Sequence, residues 1–346
     1  MASRRPFLLA AAALAIPVFA GCAGGPDGGP SGQTPGREPL TVYSGRSEEL
    51  VGPLFRQFTE ETGTPVEARY GDTAELAAQL IEEGDATPAQ VFLAQDAGAL
   101  GAVEQAGLFA KLPNAAIDAV PAAYRAPDGT WTGVTGRARV IAYDPEQVPA
   151  ADVPQSVFDL TDPKWKGQVA IAPTNASFQS FVTAMRVSDG DEATRQWLTG
   201  LVANDVQRYE KNGLILDAVD TGQVQLGLIN HYYWYEKAAE VGEDALRARI
   251  AFTRPRDPGS LVNVAGVGIL GPADTDPHAA EFVEWLLSPP TQQWFVDNTY
   301  EYPLLPSVAA AEGLPPLTSL RGPDIPLTDL DGLPATLVML EDVGLL

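Results

Sequence analysis

Short apolar stretches alternate with amphipathic stretches along most of the chain. The run from Leu40 to Tyr43 predicts a strand, and the apolar residues between Leu50 and Phe58 recur at the spacing of a helix. The same pattern predicts further strands near residues 66–70, 90–94, 139–143, 169–172, 206–209, 225–229 and 262–270, and helices near 73–83 and 98–106 and after Asn175, Asp191, Gly213 and His231. Strands that alternate with helices form a mostly parallel sheet covered on both faces, so we expect an α/β fold with ligands at the carboxyl ends of strands.

The last part of the chain follows a different pattern. After Pro303 it is rich in Leu and Pro, and a short helix is predicted from Ala335. Because Pro interrupts helices, we expect the residues in between to be extended and to wrap a surface. The elements before Pro303 are numerous enough for two α/β lobes, since one domain usually takes ~100–200 residues.

The N-terminus has the pattern of an export signal. Arg4 and Arg5 precede an apolar run that is too short for a comfortable transmembrane helix, and small residues then lead to Cys22. We therefore predict a signal peptide over 1–21, a lipid-anchored Cys22 at the outer face of the cytoplasmic membrane, and a flexible tether over 22–38. The arginine pair also fits a twin-arginine signal, so the export route stays open.

Composition narrows the chemistry. The formal net charge is −23, which disfavours nucleic acid and anionic lipid as partners and suits a cationic ligand, so membrane contact is expected only through the N-terminal lipid. Cys22 is the single cysteine, which excludes an intramolecular disulfide or a cysteine metal site. With two histidines and no recognisable pairing of nucleophile and base, we do not expect an enzyme.

One stretch, from Gly266 to Gly271, matches a dinucleotide-binding spacing by its letters. The surrounding sequence does not fit a dinucleotide-binding motif, because the glycines lie inside an apolar run and Pro272 follows where a phosphate-binding helix should begin. We interpret the stretch as a strand in which glycine permits close packing.

An aromatic cluster follows the strand predicted near 225–229. It contains Tyr232 and Tyr233 at the start of an amphipathic helix. Such a cluster is commonly core packing, but neighbours at a helix start are ~100° apart and can both reach one point outside the helix. Fe³⁺ prefers anionic oxygen, and a bound cation can ionise a phenol whose usual pKa is ~10. The pair is therefore a candidate ferric-iron site.

From Leu40 to about residue 310 the chain resembles the periplasmic ferric-iron-binding proteins, a transferrin-like family of bacterial solute-binding proteins. The matching stretches are Leu40–Arg46, Glu61–Gly63, Thr87–Phe92, Pro163–Gly167, Ile229–Trp234, Asp257–Gly259 and Glu301–Leu304. The resemblance implies a two-lobed type II periplasmic-binding-protein fold with a hinged cleft between the lobes, Fe³⁺ held by paired tyrosines, and carbonate or phosphate as a synergistic anion. It also implies delivery to an ABC permease and its ATPase, and we expect a monomer.

The resemblance also assigns residues. The N-terminal lobe is predicted over 39–136 plus 263–312, and the C-terminal lobe over 137–262 plus 313–346. By this resemblance, Tyr232 and Tyr233 are expected to bind the iron. The residues expected to bind the anion or to lie next to the binding residues are Arg46, Ser47, Gln95, Thr174, Asn175, Ala176, Asn212 and Asn230. Asn175 is also a predicted helix N-cap, where free N–H groups suit an anion. Arg46 can clamp a bidentate anion, with a solvated surface arginine as the alternative.

The chain departs from the best-known members at two positions. Ser47 and Gln95 stand where some of them place a histidine and a glutamate, and neither supplies an anionic oxygen at pH 7. Anion and water must then complete more of the coordination. Two alternatives stay open: a protein of the same fold that binds a phosphate, sulfate, organophosphate or iron chelate, and an enzyme built on a binding-protein fold.

Overall fold

The described part of the chain runs from residue 37 to 346 in this computed structural model. The predicted signal peptide over 1–21, the lipidated Cys22 and all of the tether before residue 37 lie outside the described residues. Among residues 37–346, none of the helices has the length and apolar character needed to cross a membrane.

The strands form one path in the order β2-β1-β3-β9-β4-β7-β5-β6, with β8 and β10 paired to β4. Their bounds are β1 Leu40–Ser44, β2 Val66–Tyr70, β3 Val91–Ala94, β4 Trp131–Tyr143, β5 Val169–Ile171, β6 Gln207–Arg208, β7 Leu226–Asn230, β8 Arg249–Ala251, β9 Val262–Ile269 and β10 Tyr302–Pro303. The β1–β2, β1–β3, β5–β6 and β5–β7 pairs are parallel, as the alternation of strands and helices predicts.

The helices lie mostly between these strands. Their bounds are α1 Glu48–Thr62, α2 Thr73–Glu83, α3 Ala97–Gln105, α4 Asn114–Ala119, α5 Ala176–Asp189, α6 Asp191–Ala203, α7 Asn212–Asp220, α8 Tyr232–Val241, α9 Pro277–Leu286, α10 Pro289–Thr299 and α11 Leu333–Asp342.

Strand β4 belongs to both halves of the sheet. Residues 131–138 pair antiparallel with β9, and residues 139–143 pair antiparallel with β7. At the change of partner, the N–H of Ala138 donates to Nδ1 of His231 at 3.1 Å, and the Ala138 carbonyl accepts from the His231 N–H at 3.0 Å. Nε2 of His231 then donates to the Tyr300 carbonyl at 2.9 Å. This ring is a neutral structural link, and burial lowers its pKa to about 4.

Apolar side chains collect in separate cores on the two sides of this change of partner. The first lobe, built on β1, β3 and β9, buries Phe58, Phe92 and Phe282. The second lobe, built on β5 and β7, buries Phe178 on one face of its sheet and Ile229 on the other. The α/β class predicted from the hydrophobic pattern is confirmed.

Some elements differ from their predictions. The strand predicted over 206–209 is shorter and covers only Gln207–Arg208. The first half of β4 was not predicted, because its Gly and Thr residues interrupt the alternation of apolar and polar positions that indicates a strand. The final helix begins at Leu333 rather than Ala335, because Pro334 is well tolerated in a first helical turn. The tail before it contains 3₁₀ turns at Leu317–Ser319 and Leu327–Asp331.

The glycines of the dinucleotide-like stretch lie within β9, as the strand interpretation predicts. A Cβ added at Gly266 would lie 2.7 Å from Leu100 Cδ1 and 2.8 Å from the Thr132 carbonyl oxygen. A Cβ at Gly268 would enter the ring of Phe109. Glycine is therefore required here by close neighbours rather than by a phosphate.

We predict that Gly266→Ala lowers the free energy of unfolding by ~1–3 kcal/mol, since the methyl group meets a backbone carbonyl that cannot move aside. Gly213→Ala is the control, because a Cβ there meets nothing within 4 Å and lies in a helix, where Ala is favoured over Gly. Chemical denaturation measures both variants. Equal stability of the two would contradict the packing account.

Candidate functional site

Two phenol side chains lie side by side at the start of α8. Tyr232 and Tyr233 are its first two residues, and His231 links the helix to the end of β7. Their rings stack with centroids 4.4 Å apart and planes 26° apart. The His231 side chain does not cap the helix. Both phenols thus lie together at the positive end of a helix, an arrangement that favours anionic oxygen.

The pKa of the Tyr232 phenol is raised well above its ordinary value. Burial is the largest cause, and the neighbouring Tyr233 adds to it, while Arg137 acts in the opposite direction. The phenol is therefore protonated at neutral pH in the ligand-free protein. A bound trivalent cation reverses this balance, because it stabilises the phenolate directly.

Three arginines and one glutamate are buried beside the tyrosines. Arg46 is 7% exposed, Arg137 and Arg139 are 3% exposed, and Glu301 is 1% exposed. Nη2 of Arg46 donates to Oε1 of Glu301 at 2.9 Å, and the Thr135 hydroxyl donates to Oε2 at 2.7 Å. Burial opposes ionisation of Glu301, but Arg46 and Arg137 outweigh it and hold its pKa below the ordinary value. Glu301 is therefore ionised and anchors the cluster.

The three arginines outnumber Glu301 in this cluster, while Asp96 and Glu236 interact electrostatically with Arg137 and Arg46 from beside it. Three buried guanidinium atoms have no hydrogen-bond partner among the described residues: Arg46 Nη1, Arg137 Nε and Arg139 Nη2. Burial lowers the pKa of Arg139 to about 9, while the nearby Tyr232 and Tyr233 work to raise it. Unpaired buried donors of this kind are costly, so the cluster is suited to accepting an anion.

A network of amides joins Arg139 to the starts of two helices. Nη1 of Arg139 lies 3.4 Å from both Asn212 Oδ1 and Asn230 Oδ1. Asn212 Nδ2 donates to Asn175 Oδ1 at 3.2 Å, and the same oxygen accepts from the Ser177 N–H at 3.1 Å. Asn175 is thus the N-cap of α5, as the sequence predicts, and the predicted residues Asn175, Asn212 and Asn230 lie together.

A cavity of about 660 Å³ separates the two lobes next to this network. Ser47, Gln95 and Asp96 line it from the first lobe, and Thr174, Asn175 and Ala176 line it from the second. Nη2 of Arg137 donates a hydrogen bond to the carbonyl of Gln95, which lines the cavity. Arg137 also interacts electrostatically with the Tyr232 phenol, so this arginine lies between the cavity wall and the tyrosine pair. The structure brings most of the sequence-predicted residues together: Ser47, Gln95, Thr174, Asn175 and Ala176 line the cavity, and Arg46, Asn212 and Asn230 lie in the buried network. Tyr232 and Tyr233 are outside the cavity lining and lie close enough to Arg139 to affect its pKa.

Two findings change the sequence-based view. The alternative that Arg46 is a solvated surface arginine is wrong, because its guanidinium is buried and paired with Glu301. Arg137, Arg139 and Glu301 were missed. The sequence did contain one indication of the arginine cluster. Arg137 and Arg139 are two residues apart in a strand, and this spacing places both side chains on the same face of β4.

Comparison with known proteins agrees with this geometry. Residues 86–323 match the family described as bacterial extracellular solute-binding proteins. The chain is 34% identical to the Fe(3+)-binding periplasmic protein of Serratia marcescens, over 89% of this chain and 90% of the relative.

Solved structures are similar as well. Iron-bound HitA from Pseudomonas aeruginosa has a TM-score of 0.82 and 34% identity, covering 89% of this chain and 99% of that one. A Trichodesmium protein, IdiA or FutA, solved with iron and citrate, has a TM-score of 0.77 and 27% identity over 88% and 99% of the two chains. These relatives are binding proteins and not enzymes. The chain belongs to the family of bacterial extracellular solute-binding proteins, two-lobed proteins that include these ferric-iron-binding relatives.

Proposed function

We propose that this protein captures Fe³⁺ in the cleft between its lobes, with the phenolates of Tyr232 and Tyr233 as ligands and a synergistic anion beside them. The observation that carries the proposal is the stacked phenol pair at an uncapped helix start, 4.4 Å between ring centroids. Hard anionic oxygen is the donor that Fe³⁺ prefers. Relatives named for binding ferric iron support it.

Charge explains why an anion belongs in the site. Fe³⁺ with two phenolates retains one positive charge, and the surrounding cluster contains three arginines against Glu301. Ser47 and Gln95 bring no negative charge from the first lobe. A dianion such as carbonate or hydrogen phosphate would offset part of this positive charge while accepting from the unpartnered atoms of Arg46 and Arg139. A relative solved with iron and citrate supports an anion beside the iron.

Capture then couples to closure of the lobes. The tyrosines and the amide network belong to the second lobe, whereas Ser47, Gln95 and Arg46 belong to the first. A ligand complex that contacts both sides stabilises the closed arrangement over the open one. Delivery to an ABC permease and its ATPase would follow, with the protein exported as a monomer and tethered through a lipidated Cys22.

A second candidate is capture of an anion without metal. The unpartnered guanidinium atoms favour it, because they would bind phosphate, sulfate or an organophosphate whether or not iron is present. The phenols distinguish the two functions, since an anion gains nothing from neighbouring phenolates.

Tyr232→Phe and Tyr233→Phe should each weaken Fe³⁺ binding by more than ~100-fold, because loss of a direct ligand costs more than loss of an outer-shell partner. In a ferric titration each single variant should keep a weaker phenolate-to-iron absorption band, because one phenolate remains, and the double variant should lose the band. Tyr235→Phe is the matched control, since this tyrosine lies on the same helix but stacks on Tyr300. A doubly substituted protein that binds iron as tightly as wild type would refute the site, and wild type without the band would favour metal-free anion binding.

Iron binding should release protons, because both phenols must ionise and burial raises the pKa of Tyr232 in the ligand-free state. Affinity should therefore rise with pH up to neutrality. In a pH-stat titration with ferric citrate at a fixed citrate concentration, each single Tyr→Phe variant should release one proton fewer per bound iron than wild type. An unchanged proton count in both variants would mean that the phenols do not ionise on binding.

Arg139→Gln should abolish the dependence of iron affinity on added bicarbonate or phosphate, because the substitution removes the unpartnered Nη2 donor. Iron affinity is measured in bicarbonate-free buffer and again with each anion supplied. Arg208→Gln is the control, on the exposed strand β6. If Arg139→Gln responds to the anions as wild type does, the anion does not bind at this arginine.

A further inference from the structure

The end of the chain packs into the cores of both lobes. Leu327 and Leu330, in the 3₁₀ turn Leu327–Asp331, are 7% and 2% exposed and belong to the core of the first lobe. Met339 and Leu340, in α11, are 3% and 0% exposed and belong to the core of the second lobe. One continuous segment therefore connects the two lobes, in addition to the strands at the centre of the sheet.

The turn lies directly on the backbone of α3. A Cβ at Gly98 would lie 2.5 Å from the Leu330 carbonyl oxygen, and one at Gly101 would lie 2.7 Å from the Thr328 carbonyl oxygen. These two glycines are three residues apart and so share one face of α3. We call this face the glycine face of α3. It accepts the turn only because it carries no side chains.

The helix that follows is fixed to α5 of the second lobe by buried hydrogen bonds. Nη1 of Arg186 donates to the Gly332 carbonyl at 2.9 Å and to the Thr336 hydroxyl at 3.0 Å. The hydroxyls of Thr183 and Thr336, both buried, are 2.8 Å apart. Separating α11 from α5 would leave these groups unpaired, which is costly. Contact between the turn and the glycine face is instead van der Waals packing, in which Leu327 and Leu330 are buried.

The two helices joined in this way both begin at the ligand cavity. Asp96, next to Gln95, is the N-cap of α3, and Asn175 is the N-cap of α5. Leu330, Leu333 and Pro334 line the same cavity. The position of the segment therefore sets the distance between the two cavity walls that carry the predicted anion-binding residues.

We propose that residues 327–342 form a latch for the cleft. The helix α11 stays on α5, while the turn docks on the glycine face of α3 when the lobes are closed and leaves it when they open. The effect of the latch on iron release rests on the proposed function; its effect on lobe opening does not.

The test is the double variant Gly98→Ala/Gly101→Ala, in which two methyl groups hold the turn away from α3. Small-angle X-ray scattering of the ligand-free protein should show a larger radius of gyration than wild type. Hydrogen exchange should accelerate in 327–330 and not in α11. Dissociation of Fe³⁺ into excess EDTA should be at least about tenfold faster, because the closed state is less populated.

Gly52→Ala is the matched control, since this helical glycine of the first lobe has as its nearest neighbours the side chains of Glu48 and Arg56, at 3.3 and 3.5 Å. If the double variant does not fold, Gly101→Ala alone replaces it; its single methyl group would lie 2.7 Å from the Thr328 carbonyl oxygen and should also enlarge the ligand-free protein. A folded variant with unchanged radius and unchanged exchange in the turn overturns the latch. Failure of wild type to bind iron would overturn the proposed function alone, because the scattering experiment contains no iron.

Discussion

The imbalance of buried charge beside β4 governs this site. Arg46, Arg137 and Arg139 are nearly inaccessible to water, and Glu301 is the carboxylate that pairs within the cluster. A buried guanidinium without a partner is unfavourable unless an anion reaches it. Arg46 and Arg137 hold the pKa of Glu301 below its ordinary value, whereas for the Tyr232 phenol burial outweighs the opposing effect of Arg137 and raises the pKa. Guanidinium atoms that have no hydrogen-bond partner among the described residues therefore suit the cluster to an anion.

This local charge contrasts with the charge of the whole chain. The net charge of −23 produces a field that attracts cations from a distance. At short range, however, the buried network beside the cavity contains guanidinium groups and the protonated phenol of Tyr232. In the proposed function, a ferric ion with its anion would satisfy both, because the anion would contact the arginines and the ion would displace protons from the tyrosines. Long-range attraction and local selectivity would then come from different groups.

The backbone around His231 gives the site its geometry. The imidazole bridges Ala138, where β4 changes partner, and Tyr300, close to Glu301 in the chain. It is neutral and fully buried, so it is a structural link at the start of α8 and not a metal ligand. Because Tyr232 follows it directly, the phenols are positioned relative to both lobes by the same residue. This arrangement links lobe geometry to the tyrosine pair.

Local sequence determined the alternation of strands and helices, the helix start at Tyr232, the N-cap at Asn175 and the structural role of Gly266. Each of these depends on periodicity or on neighbours a few residues away, which a linear pattern records. Tertiary structure alone decided that Arg46 is buried against Glu301, 255 positions along the chain, and that the tail enters both cores. Neither contact leaves a local pattern. Buried charge pairs and segments that bridge lobes depend on distant parts of the chain meeting, so only the folded structure reveals them.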